Sequence, residues 1–122
     1  MPLTATLGVD FSAYTKEEVR ARLAWAQGLC TVNGLLHGGA VMALADSTGG
    51  ACAFLNLPAG AQGTTTVESK TNFLRGVRDG YVEAVSRPLH IGRTVVVVET
   101  EVRDAGNRLV AKVTQTQLVL TA

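Results

Sequence analysis

Charged residues are scarce in this sequence, and neither sign dominates. They make up 17% of the 122 residues and leave a formal net charge of +1, so nothing in the composition indicates a nucleic-acid partner. Low-complexity tracts are missing and 47% of the residues are apolar, which excludes a disordered chain. We expect a single domain over residues 1–122, because a chain of this length can bury one core.

Cysteines and targeting signals are also scarce. Cys30 and Cys52 have no CxxC or metal-type spacing, so no metal site is expected and both are predicted to be small buried apolar residues. The first residues have no basic start followed by an apolar run, which argues against a secretory signal. We therefore predict a cytoplasmic protein whose thiols stay reduced.

The middle of the chain lacks Lys, Arg and Glu from Leu23 to Val67, and Asp46 is the only carboxylate there. His37 is the only histidine in the same stretch. Burying a single carboxylate is costly unless hydrogen bonds or charges stabilise it. Asp46 therefore either holds a neighbouring segment in place or takes part in a reaction, and the sequence alone allows both interpretations.

Two helices are predicted. The first is amphipathic and covers about residues 15–28, because Thr15 is a suitable N-cap and apolar residues recur at helical spacing after it. The second runs from residue 38 to about 55, is apolar nearly all round, and stops before Pro58. Its one carboxylate and four glycines make it a poor membrane span, so we expect no membrane partner. We expect the rest of the chain to pack around this apolar helix and bury it.

Four β-rich stretches separated by turn residues follow the second helix. They are Thr64 to Leu74, Tyr81 to Leu89, Thr94 to Arg103, and Leu109 to Leu120. A short extended stretch before His37 adds one more strand. The sequence therefore predicts an α+β architecture of about five antiparallel strands around one buried helix.

The residues around Asp46 favour a functional site. The positions three and four away on the helix are Met42, Ala43, Gly49 and Gly50. Three of these four are small, which leaves room beside the carboxylate for a ligand or for the close approach of a second helix.

The helix entrance, LLHGGA, offers complementary chemistry. Backbone N–H groups of a first helical turn are free and carry the positive end of the helix dipole. Gly38 and Gly39 have no side chain in the way, so they can approach and polarise a carbonyl oxygen. This predicts an oxyanion site at the helix entrance. Asp46 lies nine residues after the histidine of the same segment.

These residues resemble the hot-dog acyl-CoA thioesterases, in the branch of the phenylacetate-pathway, 4-hydroxybenzoyl-CoA and enterobactin-pathway proofreading enzymes. The resemblance runs from about Asn33 to Leu120. It is carried by GLLHGGAVMALADS, by TTTVESKTNFLRG and by VSRPLHIGR. The fold it implies is the hot-dog fold, a curved antiparallel sheet wrapped around one long helix, which agrees with the pattern of elements above.

The resemblance also implies roles for individual residues. Asp46 would be the base that activates water or the nucleophile that attacks the thioester, and the amide of Gly38 would polarise the thioester carbonyl. His37 would help to position the thioester, and Thr66 would orient the water. The substrate would be an acyl-CoA with an aryl or medium-chain acyl group, so coenzyme A is part of the substrate and no separate cofactor is expected.

One position departs from the family pattern. Many relatives carry Asn or Gln six residues before the histidine, where this chain has Thr31. Asn33 is the only nearby Asn. Either Asn33 takes the role through a shifted loop, or that hydrogen bond is absent.

Coenzyme A ends in phosphates, so a thioesterase of this kind should offer basic residues near the pocket mouth. Arg75, after the first long strand, and Arg93, in the HIGR turn, are the candidates, and Gly39 lets the ligand approach the backbone.

Two copies of the chain are expected to build each site. Gly38 and Asp46 would lie about 12 Å apart along one helix, at 1.5 Å per residue, so one thioester cannot easily meet both. Two such helices running antiparallel across a two-fold axis would bring Gly38 of one copy to Asp46 of the other. We predict a homodimer or a dimer of dimers, that is, a homotetramer.

Two alternatives have other chemistries. A hot-dog hydratase or dehydratase would pair a catalytic histidine with a carboxylate in a setting that this sequence does not show. A non-catalytic acyl-CoA binder or sensor would hold the thioester at the helix entrance without hydrolysing it, and the presence of Asp46 argues against this.

Overall fold

A long helix lies against one face of an antiparallel sheet in the computed structural model, which describes residues 1–121. The chain begins with helix α1 (Pro2–Leu7), followed by strands β1 (Asp10–Tyr14) and β2 (Val19–Ala24). Two short 3₁₀ turns lead to helix α2 (Gly38–Leu55). Strands β3 (Ala61–Phe73), β4 (Tyr81–Ile91), β5 (Val95–Asp104) and β6 (Leu109–Thr121) complete the described chain.

The sheet has six strands in the order β1-β2-β4-β5-β6-β3 among the residues described. Every neighbouring pair is antiparallel. Strand β3 pairs with β6 on one side and forms an edge of the sheet. Helix α2 contacts five of the strands, which is the arrangement predicted from the sequence as a hot-dog fold.

Helix α2 begins and ends where the sequence predicts. His37 is its N-cap, and the helix ends at Leu55, before Pro58, which cannot continue it. The side that faces the sheet carries the buried residues, and two apolar clusters lie between helix and strands. One cluster includes Leu44 and the other includes Cys52, so both halves of the helix pack on the sheet.

The predicted helix over residues 15–28 is wrong, because this segment contains a β-turn and strand β2. Val19, Ala21 and Leu23 are fully buried, while Arg20 and Arg22 point to the other face of the sheet and pair with a glutamate of β4. Alternation with a period of two is the pattern of a strand with one buried face. Only Val19 and Leu23 fit the helical spacing, and the burial of these residues against α2 favours the strand.

Thr15 also made the helix plausible for a local reason. Its Oγ1 accepts a hydrogen bond from the amide of Glu18 at 3.1 Å, as an N-cap would. The amide of Thr15 donates to the carbonyl of Glu18 at 3.0 Å, however, which closes the hairpin between β1 and β2. Threonine makes the same short-range bond in turns.

The extended stretch predicted before His37 is not a strand of the sheet. It consists of two 3₁₀ turns, Gln27–Leu29 and Val32–Gly34, with one isolated bridge between Cys30 and Leu36. The strands missing from the prediction are β1 and β2. No helix among residues 1–121 is both long and apolar enough to cross a membrane.

Candidate functional site

The carboxylate of Asp46 lies at a cavity between α2 and β3. The cavity has a volume of about 520 Å³, which is within the size range of small-molecule sites. Asp46 sits on the exposed side of α2, so the chain alone does not bury it. The cavity is lined by Met1, Tyr14, Asp46, Ser47, Gly50, Ala51, Phe54, Gly63, Thr64, Thr65, Thr66 and Gln117.

Thr66 of β3 contacts the carboxylate directly. Its Oγ1 donates a hydrogen bond to Oδ1 of Asp46 at 3.3 Å. The structure therefore brings together these two residues, which the sequence places twenty positions apart. One carboxylate oxygen is held by the protein, while the carboxylate remains open to the cavity.

A third residue of this cluster, Gln117 of β6, was missed by the sequence analysis. It lies opposite Thr66 in the register of β3 and β6 and donates from Nε2 to Oγ1 of Thr66 at 2.6 Å. Its Oε1 accepts from Oγ1 of Thr64 at 3.0 Å. The available signal was polar residues at inward positions of a strand, since Gln115 and Gln117 alternate with outward residues between Val113 and Val119.

The entrance of α2 leaves one backbone donor free. Nδ1 of His37 accepts a hydrogen bond from the amide of Gly39 at 2.7 Å, and the carbonyl of His37 accepts from the amide of Ala40 at 2.9 Å. The amide of Gly38 has no hydrogen-bond partner within the described chain. The first free N–H of the helix therefore belongs to the residue predicted to polarise a carbonyl.

Both glycines at the entrance also leave room for neighbouring side chains. A Cβ atom on Gly39 would stand 2.9 Å from Nδ1 of His37 and would disturb the cap. A Cβ atom on Gly38 would stand 3.1 Å from the ring of Phe73. The glycines stand out in the sequence but Phe73 does not, because this contact depends on where β3 ends.

A second cavity, of about 390 Å³, opens beside Gly38. Arg75 and Thr31 line it together with Gly38. Asn33 does not line it; this residue is exposed in a 3₁₀ turn with a left-handed φ of 61°, a conformation that Asn tolerates. Thr31, which stands where the family pattern has Asn or Gln, therefore lies near the entrance, whereas Asn33 does not line this cavity.

The two candidate arginines lie at opposite ends of the sheet. Arg75 follows the end of β3 that pairs with Ala111 of β6, whereas Arg93 precedes the end of β5 that pairs with Leu118. These partners are separated by about 23 Å along β6, at about 3.3 Å per residue. Within one chain, only Arg75 shares a cavity with Gly38.

The small face predicted beside Asp46 is only partly exposed. Gly50 lines the Asp46 cavity and has open space where a Cβ would lie, and Met42 is 40% exposed. Gly49, in contrast, is buried against Gln115, and a Cβ there would stand 2.6 Å from Cδ of that side chain. Gly49 therefore serves the packing of α2 on β6 and cannot meet a second helix.

Asp46 and Gly38 do not meet within one chain. Both belong to α2, and eight residues of helix separate them by about 12 Å. Among the residues the structure describes, no cluster of three His, Cys, Asp or Glu side chains could hold a metal ion.

Comparisons with known proteins identify the family of this chain. The family model of the thioesterase superfamily matches residues 33–111. A Pseudomonas aeruginosa protein named as an esterase is 37% identical over 91 residues, which cover 75% of this chain and 63% of that protein. The 1,4-dihydroxy-2-naphthoyl-CoA hydrolase of Escherichia coli is 40% identical over 76 residues, which cover 62% of this chain and 55% of that enzyme. The chain thus spans less than two thirds of the length of both relatives.

A solved structure extends the likeness beyond the matched segment. The thioesterase of Haemophilus influenzae superposes with a TM-score of 0.91 at 28% identity, over 98% of this chain and 82% of its own. The resemblance inferred from the motifs is confirmed for the fold and for the family.

Proposed function

Because the chain belongs to the thioesterase superfamily, we propose that it hydrolyses an acyl-CoA thioester to a free acid and CoA. The observation that carries this proposal is the pairing of Asp46 with Thr66 at the edge of a cavity large enough for an acyl group. A carboxylate held on one oxygen by a hydroxyl donor, with the rest of the group open to the cavity, is suited to act on a bound carbonyl.

Asp46 has two possible roles. As a base, it takes a proton from water, whose oxygen attacks the thioester carbon, and the C–S bond then breaks to release the CoA thiolate. As a nucleophile, its oxygen attacks the same carbon, and the C–S bond breaks to release the CoA thiolate. Water then hydrolyses the resulting anhydride to the free acid and restores the carboxylate. Thr66 supports both roles because it fixes the direction of the carboxylate.

The Gly38 amide supplies the complementary group. A backbone N–H that lacks an internal partner can donate to the oxygen on which negative charge develops. His37 prepares this donor, because its cap on Gly39 fixes the first turn of α2. Since Nδ1 of His37 accepts that bond, Nε2 is left to donate outward.

We propose that each site combines two copies of the chain. Asp46 and Gly38 are too far apart on one helix to act on one thioester, so an antiparallel neighbour would supply the second group. Strand β3 offers an unpaired edge, and Met42, Phe54 and Val67 are large apolar residues exposed on α2 and β3. A homodimer would cover this surface, and a dimer of dimers is compatible with the same contact.

The proposed acyl site is the Asp46 cavity. Phe54, Tyr14 and Ala51 give it apolar walls, which suits an aryl or medium-chain acyl group. The Escherichia coli relative is named as the hydrolase of an aromatic acyl-CoA, 1,4-dihydroxy-2-naphthoyl-CoA, which supports an aryl acyl group. Arg75 beside Gly38 is the proposed contact for CoA phosphates.

The test is release of free CoA, detected with a thiol reagent over a panel of acyl-CoA thioesters. With the best substrate, Asp46→Asn should lower kcat by at least about a hundredfold while substrate binding survives. His37→Ala should cost less, because it disturbs positioning rather than the reacting group. An Asp46→Asn variant with near-normal kcat would exclude the role of the carboxylate. Binding without CoA release by the wild type would favour the non-catalytic binder.

A further inference from the structure

A buried glutamine stands behind the catalytic carboxylate proposed above. Gln117 is 1% exposed, and its amide bridges Thr64 and Thr66 on the neighbouring strand. Thr66 continues the connection to Asp46. The four side chains therefore form one chain of hydrogen bonds that begins at Thr64 and ends on the carboxylate.

The direction of these hydrogen bonds follows from their last member. An ionised carboxylate only accepts, so Thr66 must give its single hydroxyl hydrogen to Asp46. The oxygen of that hydroxyl is then free only to accept, and Gln117 must present its N–H to it. The carbonyl oxygen of Gln117 consequently faces Thr64, which donates. Each member has one orientation as long as position 117 carries an amide.

Burial alone does not explain this arrangement, as a second glutamine shows. Gln115 lies two residues earlier on the same face of β6 and is also fully buried. Neither of its amide atoms has a hydrogen-bond partner in the part of the chain that the structure describes. Two glutamines of equal burial on one strand thus differ in their connections, because Gln117 reaches Asp46 through Thr66 and Gln115 does not.

We propose that Gln117 is a positioning residue for thioester hydrolysis. It holds the Thr66 hydroxyl as a donor toward Oδ1 of Asp46, so that Oδ2 is left to face water or the thioester carbon. This inference rests on the proposed function of the site. Gln117 acts through Thr66 and takes no part in bond making, so its loss should reduce the rate without abolishing it.

The first test compares two matched substitutions. Gln117→Met removes both amide hydrogen bonds while nearly keeping the length and volume of the side chain. We expect kcat for the best acyl-CoA to fall about tenfold while KM changes less than about twofold, because misplacing a reacting group lowers the chemical rate more than binding. Gln115→Met makes the same change at equal burial and should leave kcat within about twofold of the wild type.

A double-mutant cycle with Thr66→Val separates positioning from packing. If Gln117 acts through the Thr66 hydroxyl, Gln117→Met lowers kcat no further once that hydroxyl is gone. If Gln117→Met lowers kcat by the same factor in the wild type and in Thr66→Val, the proposal is wrong. An equal loss of kcat in Gln115→Met would overturn it as well, since a disturbed core would then explain both.

A second readout does not depend on activity. In a proton–nitrogen correlation spectrum, the side-chain amide signals of Gln117 should move in Thr66→Val and in Asp46→Asn, while those of Gln115 stay in place. If the wild type releases no CoA from any thioester, the proposed function fails, and the spectrum still decides whether Gln117 is coupled to Asp46. If the wild type is active and Asp46→Asn leaves the Gln117 signals unmoved, the positioning role alone fails.

Discussion

The ring of Phe73, at the end of β3, lies against Gly38, at the start of α2. A Cβ atom on Gly38 would stand 3.1 Å from Cζ and 3.3 Å from Cε1 of the ring, which is closer than ordinary van der Waals contact. The glycine therefore leaves room for an aromatic ring as well as for a ligand. The two residues fix how the helix entrance meets the edge strand.

This contact predicts a stability effect for Gly38→Ala. The added methyl group must displace the ring, so the free energy of unfolding should fall by about 1 kcal/mol. In a Phe73→Ala background the obstacle is gone, and Gly38→Ala should be neutral or stabilising, since alanine is the better helix former. Urea unfolding of the four proteins gives both values. Equal effects in the two backgrounds would show that the ring is not the cause.

The adjacent glycines in mid-helix should respond to alanine with opposite signs. Gly49→Ala places a Cβ 2.6 Å from Cδ of the buried Gln115, so we expect a loss of about 1–2 kcal/mol in unfolding free energy. Gly50→Ala meets open space and should gain about 0.5–1 kcal/mol from helix propensity. Each variant is the control for the other, because both carry the same chemical change one residue apart. A loss in both would show that the open space at Gly50, on the wall of the Asp46 cavity, is filled in the assembled protein.

Shared sites predict that two inactive variants restore activity when they assemble together. Asp46→Asn and Gly38→Val are unfolded, mixed in equal amounts and refolded. Random pairing makes about half the dimers mixed, and each mixed dimer has one intact site, so about a quarter of wild-type activity should return. The controls are each variant refolded alone. If mass spectrometry detects mixed dimers and the mixture stays inactive, both groups act within one chain.

The two cysteines should differ sharply in reactivity. Burial raises the pKa of the Cys52 thiol to about 11, so at about pH 8 only about a thousandth of it is thiolate even when reagent can reach it. Cys30 is partly exposed, so the prediction that both cysteines are buried is wrong for this one. We expect iodoacetamide to label one thiol per native chain and two after unfolding. Cys30→Ser should abolish labelling of the native protein, and residual labelling of that variant would show that Cys52 is accessible.

The sequence predicted the centre and the C-terminal half of the fold well, for local reasons. The bounds of α2 follow from a capping histidine and a terminal proline, and the four later strands are separated by turns rich in Gly, Asp and Asn. The hairpin of β1 and β2 was missed because Thr15 gives the same local signal in a cap and in a turn. Its strand character depends on burial of Val19, Ala21 and Leu23 against elements far away in sequence.

In the candidate site, too, the sequence predicted the residues that are close together in the chain and missed one that joins them only through long-range packing. Asp46, His37 and Gly38 stand out in the sequence because charge is scarce around them and their spacing is fixed by one helix. Gln117 does not stand out in this way, because its link to Asp46 exists only through the register of β3 on β6. Arg93 was grouped with Arg75 because both are basic residues next to strand ends, and the strand register places them at opposite ends of the sheet.

Gly49 and Gln115 also constrain how this sequence can diverge. The glutamine fills the space that the missing glycine side chain leaves under α2. A larger residue in the helix is therefore acceptable only with a smaller one on β6, and each change made alone passes through a less stable protein. In sequences that descend from this gene, substitutions at these two positions should therefore occur together and not one at a time.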